Sequence, residues 1–363
     1  MITEADRHHM ARALELAQRG LYTTTPNPRV GCVIVRDGTV VGEGWHERAG
    51  ESHAEVMALR TAGERAQGAS VYVTLEPCAH HGRTPPCIEA LARAKVARVV
   101  AAMLDPNPLV AGKGFDALRA AGIAADHGLM ENEARELNIG FVARMMRGRP
   151  WVRMKIAASL DGRTALSNGR SQWITGPEAR RDGHGWRARA CAVLTGVGTV
   201  RDDDPQLTVR EVETARQPVR VVVDSRLETP PAARVLGPGT LIAAAHGDAQ
   251  TLAKLTGQGA EVIMLPNADG KVDLMALMRE LARREMNEVH IEAGYKLNGS
   301  LMHEGLVDEL VVYLAPCLLG GTARGMFDLP GLQDLAGRRE LELRDVRSVG
   351  ADIRIIARVK RTH

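Results

Sequence analysis

The chain has 363 residues, 45% of them hydrophobic and 25% charged, which is long for one domain and comfortable for two that each bury a core. Lysine plus arginine exceed aspartate plus glutamate by only 47 to 44, and aromatic residues make up 3%, which argues against nucleic acid as the main partner. Five cysteines in so long a chain are no disulfide framework, and no apolar run approaches membrane-spanning length, so a cytoplasmic location is expected.

In chain order, residues 4–19 read as an amphipathic helix with acids early and without the apolar core of a signal peptide. Strands follow near 29–36, 39–46, 70–75 and 97–102. They alternate with helical stretches near 53–66, 87–95 and 112–121, the pattern of an α/β sheet covered by helices. A helical segment from Glu131 to Met146 runs into RGRP at 147–150, which reads as a linker between domains of 1–147 and 148–363. The second series begins with a strand at 151–158 and continues through 192–195, 219–223, 289–291 and 310–314. It is a second α/β domain.

Within the first domain, HAE at 53–55, EPC at 76–78 and PPC at 85–87 bring together residue types that suit zinc. Imidazole and two thiolates from His53, Cys78 and Cys87 are borderline-soft ligands, and three protein ligands leave a fourth position where water can bind and lose a proton. Glu55 is not needed as a ligand. It is placed to move that proton to a leaving amine, as the nucleobase deaminases do with a His-x-Glu triplet and a later Pro-Cys. His53 precedes a helical pattern and Cys87 follows two prolines at the start of another, so two helix N-termini would face the metal and favour thiolates.

The general deaminase pattern leaves two residues between its cysteines, whereas eight lie between Cys78 and Cys87. His80 and His81 fall in that insertion and could close the site with a fourth ligand, an alternative that leaves Glu55 unexplained. Cys32, Cys191 and Cys317 lie in apolar surroundings and read as small core residues. In the second domain GVGTV at 196–200 offers two glycines after a strand, but residue 201 is arginine where a dinucleotide fingerprint needs glycine. A tight turn is the simpler reading.

AHHGRTPPC at 79–87, preceded by VTLEP and HAE, resembles the deaminase half of the bifunctional riboflavin-biosynthesis deaminase/reductase family, in which this longer spacing is usual. The resemblance runs through TTTPNPRVGCVIV at 23–35, AGESHAEVMAL at 49–59 and DPNPLVAGKG at 105–114. It continues in KIAASLDGRTA from Lys155, SQWITG from Ser171, DDDPQLTVR from Asp202 and LVDELVVYLAP from Leu306, which look like the reductase half. It implies a cytidine-deaminase-like zinc domain followed by a dihydrofolate-reductase-like α/β domain. The former would take Zn2+ and the latter NADPH.

The same resemblance implies residue roles. Asn27 and His46 would hold the deaminase substrate, and Arg83 its phosphate, although a cation there could instead stabilise the cysteine thiolates. NADPH contacts would fall on Ala157, Trp173, Thr199 and Asp203 and on a loop of Gly294, Tyr295, Lys296, Leu297, Asn298, Gly299 and Ser300. Reductase substrate contacts would fall on Ser171, Arg187, Leu207, Arg210 and Glu292, with the two arginines as phosphate clamps. Lys155 and Asp203 are candidates for protonating or orienting the group that accepts hydride. Burial on an apolar strand would lower the Lys155 pKa and make it a usable acid.

The expected activity is deamination of a phosphorylated ribosylaminopyrimidine followed by reduction of its ribosyl group, with a small-molecule substrate and a homo-oligomeric assembly. A nucleic-acid or nucleoside deaminase would share the zinc site but would want basic or aromatic strand-binding surface. A zinc-stabilised binding module would not need Glu55, Lys155 and Asp203 together.

Overall fold

The computed structural model describes residues 2–79, 85–108 and 110–360. The chain divides into two compact units, Met1–Gly148 and Arg149–His363.

The first unit opens with α1 (Glu4–Gln18), where Thr3 and Asp6 exchange side-chain and backbone hydrogen bonds as a capping box. β1 (Gly31–Arg36) and β2 (Thr39–Trp45) form a hairpin, followed by α2 (Ala54–Ala62), β3 (Ser70–Val73), α3 (Cys87–Arg93), β4 (Arg98–Ala101), α4 (Lys113–Ala120) and β5 (Ala124–His127). The sheet runs β2-β1-β3-β4-β5, with β1 antiparallel to both neighbours and β3, β4 and β5 parallel. Alternate residues feed two cores, which is why the strands read as continuous apolar runs. Cys32, Ile34, Val71 and Val99 meet α2, α3 and α4, while Val33, Val35, Tyr72 and Val100 meet α1.

Two departures from the expected elements have local causes. β5 carries a single buried residue on an exposed edge, so it lacks an apolar run to announce it. The helix expected over 131–146 is two, α5 (Glu131–Leu137) and α6 (Ile139–Arg147), separated by Asn138. That side chain accepts from the Arg29 N–H at 2.8 Å and donates to the Arg29 carbonyl at 2.9 Å, standing in for a strand partner.

The position of α2 follows from two glycines on β2. A Cβ at Gly42 would lie 2.3 Å from the Ala58 carbonyl oxygen, and one at Gly44 would lie 2.6 Å from that of Ala54. Backbone therefore packs on backbone, and the start of α2 is fixed against the sheet.

The second unit contains β6 (Trp151–Ser159), β7 (Arg163–Ala165), α7 (Pro177–Arg189), β8 (Ala192–Gly196), α8 (Val197–Asp203), β9 (Val219–Val223), β10 (Thr240–Ala244), α9 (Ala249–Gly257) and β11 (Ala260–Met264). After these come α10 (Leu274–Arg283), β12 (Glu288–Ile291), α11 (Tyr295–His303), β13 (Glu309–Ala315), β14 (Arg324–Gly325), β15 (Leu341–Val349) and β16 (Asp352–Val359). Nine strands form one sheet in the order β11-β10-β9-β8-β12-β6-β13-β16-β15, parallel from β11 to β13 and antiparallel beyond.

The two faces of β6 differ in kind. Val152, Met154, Ile156 and Ala158 enter an apolar core with α10 and α11. The opposite face carries Arg153, 2% exposed, bonded to Glu288 at 2.9 Å and Glu309 at 2.6 Å, with Trp186 of α7 4.7 Å from its guanidinium carbon. Charges buried this deeply persist only when paired. Lys155 follows on that same face.

The RGRP segment is not a loose linker. Gly148 caps α6 at φ 63°, and Arg149 is buried in a two-pronged ion pair with Asp308, both bonds 2.8 Å. Cys32 and Cys191 are buried, but Cys317 is exposed, because it follows the end of β13 where the chain leaves the sheet. No helix among the described residues is long and apolar enough to cross a membrane.

Candidate active sites

In the first unit, His53 is the N-cap of α2 yet makes no capping hydrogen bond with its side chain. Its Nδ1 lies 3.2 Å from Cys87 Sγ and 3.5 Å from Cys78 Sγ, and the three donor atoms fall within 4.8 Å of one another. A tetrahedral zinc with ligand bonds of roughly 2.0–2.3 Å spaces its donors about 3.5–3.8 Å apart, so the set fits that ion in type and in spacing. Cys87 is the first residue of α3, and its N–H donates to Cys78 Sγ at 3.3 Å. Two sulfurs and an imidazole are thus brought together by two helix starts and the strand end after β3.

Among the protein groups alone, the hydrogen bond from Cys87, then that from His53, pulls the Cys78 thiol well down, and the same contact pushes Cys87 up. The bond to Cys78 raises His53. Glu55, 3% exposed in the first turn of α2, is raised by burial and then by the charge of Cys78. A carboxyl group shielded from water beside a metal-type donor set can take a proton and return it.

Asn27 and His46 adjoin this triad. The His46 and His53 rings meet edge to face at 5.4 Å. His46 Nδ1 lies 3.2 Å from the Ser52 carbonyl and Nε2 lies 3.0 Å from Asn27 Nδ2. A carbonyl can only accept, so Nδ1 carries the proton and Nε2 accepts from the Asn27 amide. Burial lowers the His46 pKa and keeps the ring neutral. Arg83, His80 and His81 lie outside the described residues.

Sequence reasoning missed Glu76, 5% exposed and two residues before Cys78. Its carboxylate accepts three backbone N–H groups, from Asp105 and Gly112 at 3.0 Å and from Gly114 at 2.7 Å, tying those three residues to the stretch after β3 that leads to the cysteine. Its place in EPC was the only available signal.

The second unit has a cleft of about 430 Å³ at the carboxyl ends of β8 and β12. Open parallel sheets bind ligands at this end. Ala157, Trp173, Thr199, Asp203, Ser171, Arg187, Leu207, Arg210, Glu292 and Lys155 all line it. Gly196 and Gly294 are helix N-caps, of α8 and α11, so GVGTV is a strand-to-helix turn.

The 294–300 segment is not a loop but the cap and first turns of α11. Helical periodicity divides it: Gly294, Tyr295 and Asn298 line the cleft, whereas Lys296, Leu297, Gly299 and Ser300 do not. Leu297 packs on the core. Gly299 lets the chain pass close by, since a Cβ there would lie 2.1 Å from the Asp328 carbonyl oxygen.

Charges in the cleft are arranged in pairs with a surplus of cations. Arg187 donates to both oxygens of Glu292, at 2.5 and 2.8 Å, and to the Thr208 carbonyl at 3.0 Å. Burial opposes ionisation of Glu292, but Arg187 outweighs it and holds the carboxyl well below its usual range. Ser171 Oγ donates to Asp203 at 2.9 Å. Lys155 is lowered chiefly by burial, with Glu292 opposing and Arg187 adding to the shift. Arg180, Arg234 and Arg324 also line the cleft and had no motif to announce them.

A deaminase-type zinc site on the first domain and a nucleotide-type cleft on a second, mostly parallel α/β domain define a two-domain deaminase and reductase. The zinc-binding region of cytidine and deoxycytidylate deaminases matches residues 3–103, and the RibD C-terminal domain matches 150–355. The chain belongs to the RibD family of riboflavin-biosynthesis proteins. It is 51% identical to the riboflavin biosynthesis protein RibD of Escherichia coli (strain K12), over 96% of this chain and 98% of that one, and 44% identical to that of Aquifex aeolicus (strain VF5), over 97% and 98%. Acinetobacter baumannii RibD, form 1, superposes with a TM-score of 0.92 at 46% identity, covering 99% of both chains. A Thermotoga maritima diaminohydroxyphosphoribosylaminopyrimidine deaminase/5-amino-6-(5-phosphoribosylamino)uracil reductase gives 0.87 at 30% identity, covering 98% of this chain and 99% of its own. The chain is a bifunctional deaminase and reductase, with a cytidine-deaminase-like domain that takes zinc and a dihydrofolate-reductase-like domain that takes NADPH.

Proposed function

We propose that the first domain hydrolytically deaminates 2,5-diamino-6-ribosylamino-4(3H)-pyrimidinone 5′-phosphate, and that the second reduces the ribosyl group of the product with NADPH to give 5-amino-6-ribitylamino-uracil 5′-phosphate. The observation that carries this reading is Glu55, a buried carboxyl beside three zinc-type donors and not one of them. His53, Cys78 and Cys87 hold the metal, which when bound supplies Lewis acidity to an attacking water. Glu55 takes one proton from that water and delivers it to the amine, which leaves as ammonia while oxygen takes its place on the ring carbon. Asn27 and His46, locked to each other, orient the substrate, and Arg83 meets its phosphate.

In the second domain Thr199, Trp173, Ala157, Asp203 and the α11 face of Gly294, Tyr295 and Asn298 hold NADPH, which supplies hydride. The remaining members of the 294–300 segment support that face. Ser171, Leu207, Arg187, Arg210 and Glu292 hold the substrate, the arginines meeting its phosphate. Hydride goes to the ribosyl carbon bonded to the exocyclic amino nitrogen at position 6 of the pyrimidine, and the sugar ring oxygen takes a proton as it becomes a hydroxyl. Lys155 and Asp203 orient that group or supply the proton.

The chain acts as a homo-oligomer in the cytoplasm. β15 is an open sheet edge with Leu341, Leu343 and Val346 exposed, a surface that self-association would cover. None of the five cysteines is in a disulfide, which accords with a reducing compartment. Purified chain incubated with the pyrimidine substrate, with and without NADPH, tests the catalytic reading by mass. Ammonia release without NADPH and a further gain of two hydrogens with it are expected. Absence of either step refutes that half of the reading.

A further inference from the structure

Leu207 to Arg210 cross the wall of the second cleft without joining a helix or strand, and Leu207 sits at φ +55°, a left-handed conformation that a leucine adopts only under constraint. Among the described residues the segment has no ladder partner. Side chains supply one instead. Arg187 Nη1 donates to the Thr208 carbonyl at 3.0 Å, Gln217 accepts from the Val209 N–H at 2.8 Å and donates to its carbonyl at 3.1 Å, and the Arg210 N–H donates to His184 Nδ1 at 3.2 Å. Gln217 is itself fixed by its neighbour, since Arg216 donates to the carbonyls of Ala188, Arg189 and Ala190 at the end of α7.

Two of these anchors belong to α7, where His184 and Arg187 stand one turn apart. His184 is 7% exposed and lies near Arg187, Arg210 and Glu292. Burial, then Arg187 and Arg210, brings its pKa to about 4, so the ring is neutral and Nδ1 is free to accept. Among the described residues the Arg210 guanidinium donates to two neutral oxygens, Gln206 Oε1 at 3.2 Å and Thr208 Oγ1 at 3.0 Å, and the cations Arg187 and Arg234 outweigh Glu211 and Glu292 around it, an environment that favours an incoming anion.

We propose that His184 and Gln217 are positioning residues for the reductase, pinning the Leu207–Arg210 backbone so that the Arg210 guanidinium is already aimed when a phosphate arrives. The inference rests on the reading of Arg210 as a phosphate contact. A segment fixed in advance loses little freedom on binding, and affinity for the charged group rises accordingly.

Steady-state reduction by the full chain, with NADPH saturating and inorganic phosphate as a competing probe, tests this. His184→Ala should raise both KM for the deaminated substrate and the inhibition constant of phosphate by about tenfold, the scale of one lost hydrogen bond, with kcat within about twofold. His184→Asn, whose Oδ1 can occupy the Nδ1 position, should restore both. Gln217→Leu, at an exposed position, should behave as His184→Ala does and carries the test if the buried variant folds poorly. Arg210→Met separates the two levels. If it leaves phosphate inhibition unchanged, the phosphate reading falls. If it weakens phosphate while His184→Ala and Gln217→Leu do not, the reading stands and the positioning proposal is overturned. A fall in kcat or in NADPH affinity without a change in phosphate inhibition would also overturn it, showing a general structural role.

Discussion

Glu292 grips Arg187 with both carboxylate oxygens, one to Nε and one to Nη2, on the wall of the cleft that also holds Lys155. Glu292→Gln would leave a largely buried guanidinium without its counter-charge. Unfolding free energy should fall by about 3 kcal/mol, the low end for a broken buried pair because both side chains retain some solvent. Denaturant titration checks the stability. Reduction should weaken and ammonia release should persist.

Cys78→Ser should strip the metal. The wild-type chain should bind one zinc, and the variant should lose most of it, because serine is a poor ligand and the two remaining donors cannot fix the ion. Metal analysis of the dialysed proteins decides: a full equivalent retained by the variant would show that Cys78 is not a ligand.

Glu55→Gln removes the proton carrier and keeps the shape. Zinc content should stay at one equivalent while ammonia release falls by about 100-fold or more, the usual loss for a general acid/base. Near-normal deamination in zinc-loaded protein would refute the role given to Glu55.

The two chemistries should be independent. The zinc donors draw on cores in Met1–Gly148, and the reductase cleft on cores in Arg149–His363. Asp203→Asn should impair reduction and spare ammonia release, while Glu55→Gln should spare reduction of substrate that is already deaminated. A fragment starting at Arg149 should reduce that substrate without zinc. Loss of deamination in folded Asp203→Asn would rule out two separate sites.

Stability should decline between pH 6.5 and about 4, in part through His184. Its folded pKa of about 4 lies below the ordinary value of 6.5, so the unfolded chain takes up the proton first on acidification. The stabilisation is complete above pH 6.5 and is lost as pH falls toward 4. His184→Asn removes the titrating group, and chemical denaturation across that range should give a flatter profile for the variant. Equal slopes would show that the imidazole is not held neutral.

How much of this was legible in sequence depended on whether a residue's partners were near it in type or only in space. His53, Cys78 and Cys87 could be grouped because few side chains suit zinc, and the strands of both sheets with apolar runs on two faces announced themselves. β5, with one buried residue, did not. β10, only five residues long with two alanines among them, and β15, nearly all exposed, carried no strand signal either. Gly294–Ser300 looked like a loop because two glycines and an asparagine weaken a helical pattern. Tertiary contact requires that composition: Gly299 lies against Asp328, and Asn298 donates to the Met326 carbonyl. His184, Glu76 and Arg234 were invisible for a different reason, since what they hold or line is brought to them only by the fold, and Gln217 clasps the Val209 backbone through a contact that no residue pattern marks.

Gly42 and Gly44 touch no proposed ligand, yet they set how closely α2 lies on the sheet and hence where His53 and Glu55 stand. A saturation-mutagenesis map scored by ammonia release should therefore rank these two chemically inert positions beside the zinc donors, with even alanine scoring as damage. A map scored by reduction of deaminated substrate should pass over them. Sites inferred from mutational intolerance alone would then include two residues whose whole contribution is the absence of a side chain.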